Sequence, residues 1–214
     1  MKLFTRKECW VPTARGWLAL AALFLIGAVL AIRFMHDFLS PNKPVQADTL
    51  IVESWLPDTA LEGAAQEFGR GGYKRLIVSG PRASPGGWSP SSDYKAGPEL
   101  AAAVLATMGL KTNVIVAVKA TGATRDRTYS AALAVRKWLE TTRITLKAAN
   151  VYSQGPHARR SRLLYRKALG SGIKVGVIAC PAASYDPKAW WSSSVGFRDV
   201  MGEALAYLYA RTFF

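Results

Sequence analysis

Seventeen consecutive residues, Gly16–Ile32 (GWLALAALFLIGAVLAI), carry no charged side chain. At helical rise they extend about 26 Å, just short of a hydrocarbon core of about 30 Å. Trp10, Val11, Phe34 and Met35 lengthen the apolar stretch, and Trp17 suits an interface. A core helix of this length keeps a polar stripe, and this run has none. It predicts one N-terminal transmembrane helix over residues 16–35. A cleaved signal peptide is the closest rival, but its small-residue site, Val45-Gln46-Ala47, lies thirteen residues beyond the run. An uncleaved signal anchor is expected.

Basic residues give the expected orientation. Lys2, Arg6, Lys7 and Arg15 precede the run, whereas Arg33 and Lys43 follow it. The positive-inside rule then places residues 1–15 in the cytoplasm and the C-terminal domain outside, in a single-pass protein of the plasma (inner) membrane. Residues 36–47, with SPNKPVQA at their end, read as an extended tether, and 48–214 as one α/β domain. Cys9 and Cys180 would lie on opposite sides of the membrane and could not pair.

The domain is basic in its own right. Only six of the chain's 28 Lys and Arg and two of its 14 Asp and Glu precede residue 48. Half of the residues are hydrophobic, which excludes wholesale disorder. An anionic small molecule or a lipid headgroup suits this charge. Nucleic acid does not, because an extracytoplasmic domain rarely meets it.

Beyond the tether, short apolar runs alternate with helical patterns. Strands are predicted at Thr49–Glu53, Arg75–Ser79, Asn113–Val118, within Ile144–Tyr152 and at Ile173–Cys180. Helices are predicted at Asp58–Gly69, Asp93–Gly109, Thr124–Glu140, His157–Leu169 and Val195–Thr212, with Gly97-Pro98 as a start or kink in the second. Continuous apolar strands separated by helices argue for a mostly parallel sheet covered on both faces. The expected class is α/β, a Rossmann-like doubly wound sheet preceded by one transmembrane helix.

In such sheets ligands sit beyond the carboxyl ends of the strands. Those ends supply Glu53 and Ser54, Ser79 and Gly80, Lys119, Arg125, Arg127 and Thr128, Ser153 and His157, and then Arg159 and Arg160. The rim is basic and includes helix N-termini, a composition suited to an anion. Arg159 and Arg160 point about 100° apart, and Arg160, three residues from His157, shares its face better. His157 reads as a general acid or base, as a neutral phosphate donor, or as a helix-start histidine bonded to its neighbours. Glu53 ends a buried strand, where it either pairs with a rim arginine or acts as a base. Truncating His157 and Arg160 is expected to cost ligand binding but no more than about 1–2 kcal/mol of stability. Pro81–Ser92 reads as a lid whose Trp88 covers a ligand, or else as a flexible connector.

Several signatures are missing. Gly69-Arg70-Gly71-Gly72 precedes a strand, so it is no dinucleotide fingerprint, and there is no P-loop. Ser153-Gln154-Gly155 is half a nucleophile elbow with Val151 at the first glycine position. Glu53, Asp93, Asp126 and Asp186 have no metal-ligand spacing, and no metal site is expected.

Four motifs in order carry a resemblance. They are Val52-Glu53-Ser54-Trp55-Leu56-Pro57, Val78-Ser79-Gly80, Arg127-Thr128-Tyr129-Ser130-Ala131-Ala132 and Ser153-Gln154-Gly155-Pro156-His157-Ala158-Arg159-Arg160. With Asp186 to Trp191 and Glu203 to Arg211, the domain resembles the YdcF/SanA/ElyC-type family of bacterial envelope proteins. That resemblance implies a Rossmann-like fold, a pocket including His157 and Arg160, and a role in envelope biogenesis through peptidoglycan or lipid-carrier metabolism. Many members of that family carry Gly-Gly where this chain has Glu53-Ser54, and many carry asparagines around the Thr-Tyr pair, where it has Arg127 and Ala131. Some are associated with nucleotide-type ligands such as S-adenosylmethionine, which no residue here demands; the cofactor is left unknown. Two functions fit: an anchored enzyme acting on a phosphorylated or lipid-linked envelope metabolite, and a non-catalytic ligand-binding or regulatory module.

Overall fold

Five strands, all parallel, form one sheet in the order β3-β2-β1-β4-β5. The computed structural model describes residues 10–81, 97–121 and 125–214. In chain order the elements are α1 (Ala14–Leu39), β1 (Thr49–Glu53), α2 (Asp58–Arg70), β2 (Arg75–Pro81), α3 (Pro98–Thr107) and β3 (Ile115–Ala120). There follow α4 (Arg127–Thr142), β4 (Ala148–Gln154), α5 (His157–Leu169), β5 (Lys174–Cys180) and α6 (Ser194–Phe213). The protein is an α/β doubly wound parallel sheet with one N-terminal apolar helix.

The chain divides into two units at Met35. In the first, α1 is long and apolar enough to cross a membrane, and none of its most apolar window is buried by protein. The second, His36–Phe214, holds the sheet. Alternate strand residues serve opposite faces. Ile51, Ile77, Val151 and Val175 pack under α4 and α5 through Val135, Leu139, Tyr165 and Ala168. Leu50, Val52, Leu76 and Val78 pack under α2 and α3 through Leu61, Ala64, Ala101 and Leu105.

Boundaries differ from expectation where a local turn intervenes. A 3-10 turn at Thr112–Val114 delays β3 to Ile115, although Val114 continues the apolar run. Pro98 occupies the first turn of α3, as its missing N–H favours. A second 3-10 segment, Pro187–Ser192, was not anticipated; Ser193 then caps α6 by accepting from the Gly196 N–H at 2.9 Å.

The stretch expected as a tether is bound to the sheet. Lys43 and Val177 exchange both backbone hydrogen bonds, at 2.8 and 3.0 Å. The Asn150 carboxamide accepts from the Val45 N–H and donates to the Val45 carbonyl, both at 2.8 Å. It also donates to Tyr73 Oη at 2.8 Å. Asn150→Leu abolishes all three bonds and leaves partners unsatisfied, so a loss of about 1–3 kcal/mol is expected in urea unfolding of the purified chain.

Candidate functional site

β1 connects onward toward β2 and β3 on one side, whereas β4 and β5 lie on its other side, so the sheet's order reverses between β1 and β4. A crevice forms outside the carboxyl ends at such a switch point. The last residue of β1 is Glu53, and Ser153 stands next to last in β4. Gly155 then turns the chain with φ +45°, a conformation that favours glycine, and α5 begins at His157.

A closed ionic cluster fills this point. Glu53 is 3% exposed and accepts from Ser153 Oγ and from Ser161 Oγ, the latter at 2.9 Å. His157 Nε2 faces Glu53 Oε1 and Thr128 Oγ1, each at 3.5 Å, while Nδ1 lies 2.9 Å from Glu203 Oε1. Arg160 grips Glu203 with both Nε and a terminal nitrogen, at 2.8 and 2.9 Å. The Trp55 ring meets the imidazole edge-on, with centroids 4.9 Å apart.

Burial alone would strip His157 of its proton. The Glu203 and Glu53 carboxylates outweigh that cost and push its pKa up to about 9. Burial also opposes the charge on Glu53, but His157 and the two serine hydroxyls hold its carboxyl below the ordinary value. Glu203 is likewise held well below the ordinary range, by His157 and Arg160 against the pull of burial. At neutral pH the cluster comprises two carboxylates, an imidazolium and a guanidinium, with no net charge.

The raised His157 pKa stabilises the fold fully below the ordinary value of 6.5, and that stabilisation is lost as pH rises through about 9. The lowered carboxyls contribute above their ordinary 4.5 and lose that contribution as pH falls through their lower folded values. Urea midpoints measured across pH are expected to hold between about 5 and 7 and to fall on the alkaline side.

Five of the sequence candidates meet here: Glu53, Thr128, Ser153, His157 and Arg160. Of the two readings of Glu53, partner of a rim arginine or base, the first changes its partner: Glu53 pairs with His157, because Arg160 is taken up by Glu203. Arg159 turns away; its guanidinium stacks 3.8 Å over Phe38 and its Nε donates to the Phe38 carbonyl. Ser79 Oγ donates to the Ala131 carbonyl at 3.1 Å, tying β2 to α4. Gly80 admits the Ser54 side chain, since a Cβ there would sit 1.9 Å from Ser54 Oγ. Arg127 is exposed at the start of α4. Trp88 and the proposed lid after Pro81 lie outside the described residues.

Glu203 was not among the candidates. Its signal is a carboxylate in an apolar helix, Val200-Met201-Gly202-Glu203-Ala204-Leu205, where an ionised group needs a partner. Among the described residues, no group of three His, Cys, Asp or Glu side chains could hold a metal ion.

Two helix N-termini adjoin the cluster. α4 and α5 have no side-chain cap at Asp126 or Pro156, and their first-turn side chains Thr128 and His157 are 3.5 Å apart. Their dipoles direct partial positive charge toward one rim; the start of α4 is exposed, whereas at α5 Gly155, Pro156 and Ala158 are buried and the Ala158 N–H donates to the Gly155 carbonyl at 3.1 Å.

No family model, curated protein or solved structure matches the chain. The fold rests on strand order and register, and any function on the chemistry of the switch point.

Proposed function

We propose that the protein is an anchored bacterial envelope domain of the YdcF type. It binds an anionic, phosphorylated or nucleotide-like ligand at the switch point between β1 and β4, on the extracytoplasmic side of the inner membrane. The observation that carries this reading is the pair of uncapped helix N-termini beside His157. The carboxylates that would repel an anion are neutralised by His157 and Arg160, so the helix ends and Arg127 dominate the rim. Arg160 is a positioning residue in this arrangement, because its fork is spent on Glu203. A histidine with a pKa near 9 is a proton donor at neutral pH, so any turnover would use it as an acid toward a leaving oxygen.

The test uses the full chain in nanodiscs, titrated with inorganic phosphate, pyrophosphate and a polyprenyl phosphate. At least one is expected to bind and to weaken above pH 9. Thr128→Ala with Arg127→Ala is expected to weaken it about tenfold, the loss of a charge-assisted contact. No binding of any probe would overturn the reading. Phosphate release in the same samples separates an enzyme from a binding module. A periplasm-only reporter fused after Phe214 is expected to be active, and activity of a cytoplasm-only reporter would refute the orientation.

A further inference from the structure

The outer face of α6 is apolar and half or more exposed, although Phe197 stacks on Trp190 at one end. Phe197, Leu205, Leu208, Tyr209 and Phe213 are 52%, 66%, 60%, 51% and 72% exposed. At 100° per residue they fall, with Met201, on one arc of about 160°. The arc's charged side chain is Arg198, and it holds no carboxylate. The inner face carries Val200, Tyr207 and Ala210 with Glu203, the carboxylate that completes the site. A helix apolar on both faces is not built to face water on one of them.

Continuity and charge identify what covers it. Phe38, in the same helix as the apolar run and three residues past Met35, packs edge-on against Tyr207 of α6 with centroids 5.7 Å apart. Arg159 lies over both rings. Arg198 and Arg211 are exposed on α6; of its two acids, Glu203 looks inward to His157 and Arg160, and the half-exposed Asp199 is paired with Arg198. Apolar side chains flanked by exposed arginines suit the headgroup and acyl boundary of an anionic bilayer.

We infer that α6 is an interfacial helix: its outer face, from Phe197 to Phe213, lies in the surface of the membrane that anchors the chain. The proposal rests on the anchored reading above and deepens it. One helix would then touch lipid outside and supply Glu203 inside, which places the site at the bilayer surface and favours a lipid-linked anion over a freely diffusing one.

The experiment uses the full chain with Cys9→Ser, Cys180 being buried, in vesicles of anionic and zwitterionic phospholipid. Single cysteines at Leu205, Leu208, Leu23 and Glu62 carry an environment-sensitive fluorophore, and lipids with spin-labelled acyl chains act as quenchers. Labels at Leu205 and Leu208 are expected to be quenched severalfold more than at Glu62, which is exposed on α2 across the sheet. Quenching at Leu23 alone would overturn the interfacial helix and leave the anchor standing. No quenching at Leu23 would remove the anchor and the proposal with it. Energy transfer between labelled copies at Leu205 without lipid quenching would assign the face to a second copy and overturn the proposal. Leu205→Glu with Leu208→Glu is expected to lower the affinity for polyprenyl phosphate in vesicles and leave that for inorganic phosphate unchanged. Equal losses for both would also contradict it.

Discussion

His157→Ala is expected to destabilise the protein by about 3–5 kcal/mol, the cost of leaving a buried charge without its partner. Glu53 is fully enclosed, and its countercharge is the imidazolium. Its serine donors, Ser153 and Ser161, carry no charge. The expectation of a 1–2 kcal/mol effect treated His157 as a rim residue, whereas its side chain is 14% exposed and sits between two carboxylates. Adding Glu53→Gln to the alanine variant removes the orphaned charge and is expected to restore part of the loss. Denaturant unfolding of the two single variants and the double measures the coupling. Additive effects, or a loss below about 1 kcal/mol for His157→Ala, would show that the pair carries little energy.

Gly176→Ala is expected to release the segment that joins the apolar helix to the sheet. A Cβ at Gly176 would lie 2.0 Å from Asn150 Oδ1, 2.6 Å from the Val45 nitrogen and 3.1 Å from the Lys43 carbonyl oxygen. Two of those three atoms are backbone, so a rotamer change cannot relieve the clash. Overpacking of this kind costs about 1–3 kcal/mol, and the Val45 hydrogen bonds go with it. Hydrogen exchange at the Lys43 and Val45 amides should accelerate in the variant, while the Ile51 and Val151 amides in the sheet centre keep their protection. Unchanged exchange at Val45 would mean that the segment is held by other contacts.

The fold was legible because its inner strands β1, β2 and β4 are buried on both faces and read as largely apolar runs, as Thr49–Glu53 does. Gly155-Pro156 and Gly170 punctuate α5 as clearly, and its limits in the sequence and the structure coincide. The segment around Lys43 was not legible, because nothing local marks an extended prolyl stretch as bound. Its partners, Asn150 and Val177, are more than a hundred residues away. The site was half legible for the same reason. Chain geometry puts Glu53 and His157 at strand ends and separates Arg159 from Arg160 by about 100°, and the structure sends the two arginines to different partners. That the last helix returns over the crevice with Glu203 is tertiary information. It engages Arg160, read as an anion-binding residue, as a brace for a carboxylate, and it makes His157, left open between acid, base and neutral donor, a cation.

The charge on His157 is the center of this account, and an NMR titration of the two imidazoles in the full chain reads it directly. Both ring nitrogens of His157 should be protonated at pH 7, with loss of the proton centred near 9. Titration at or below 6.5, with one ring nitrogen bare at pH 7, would contradict it.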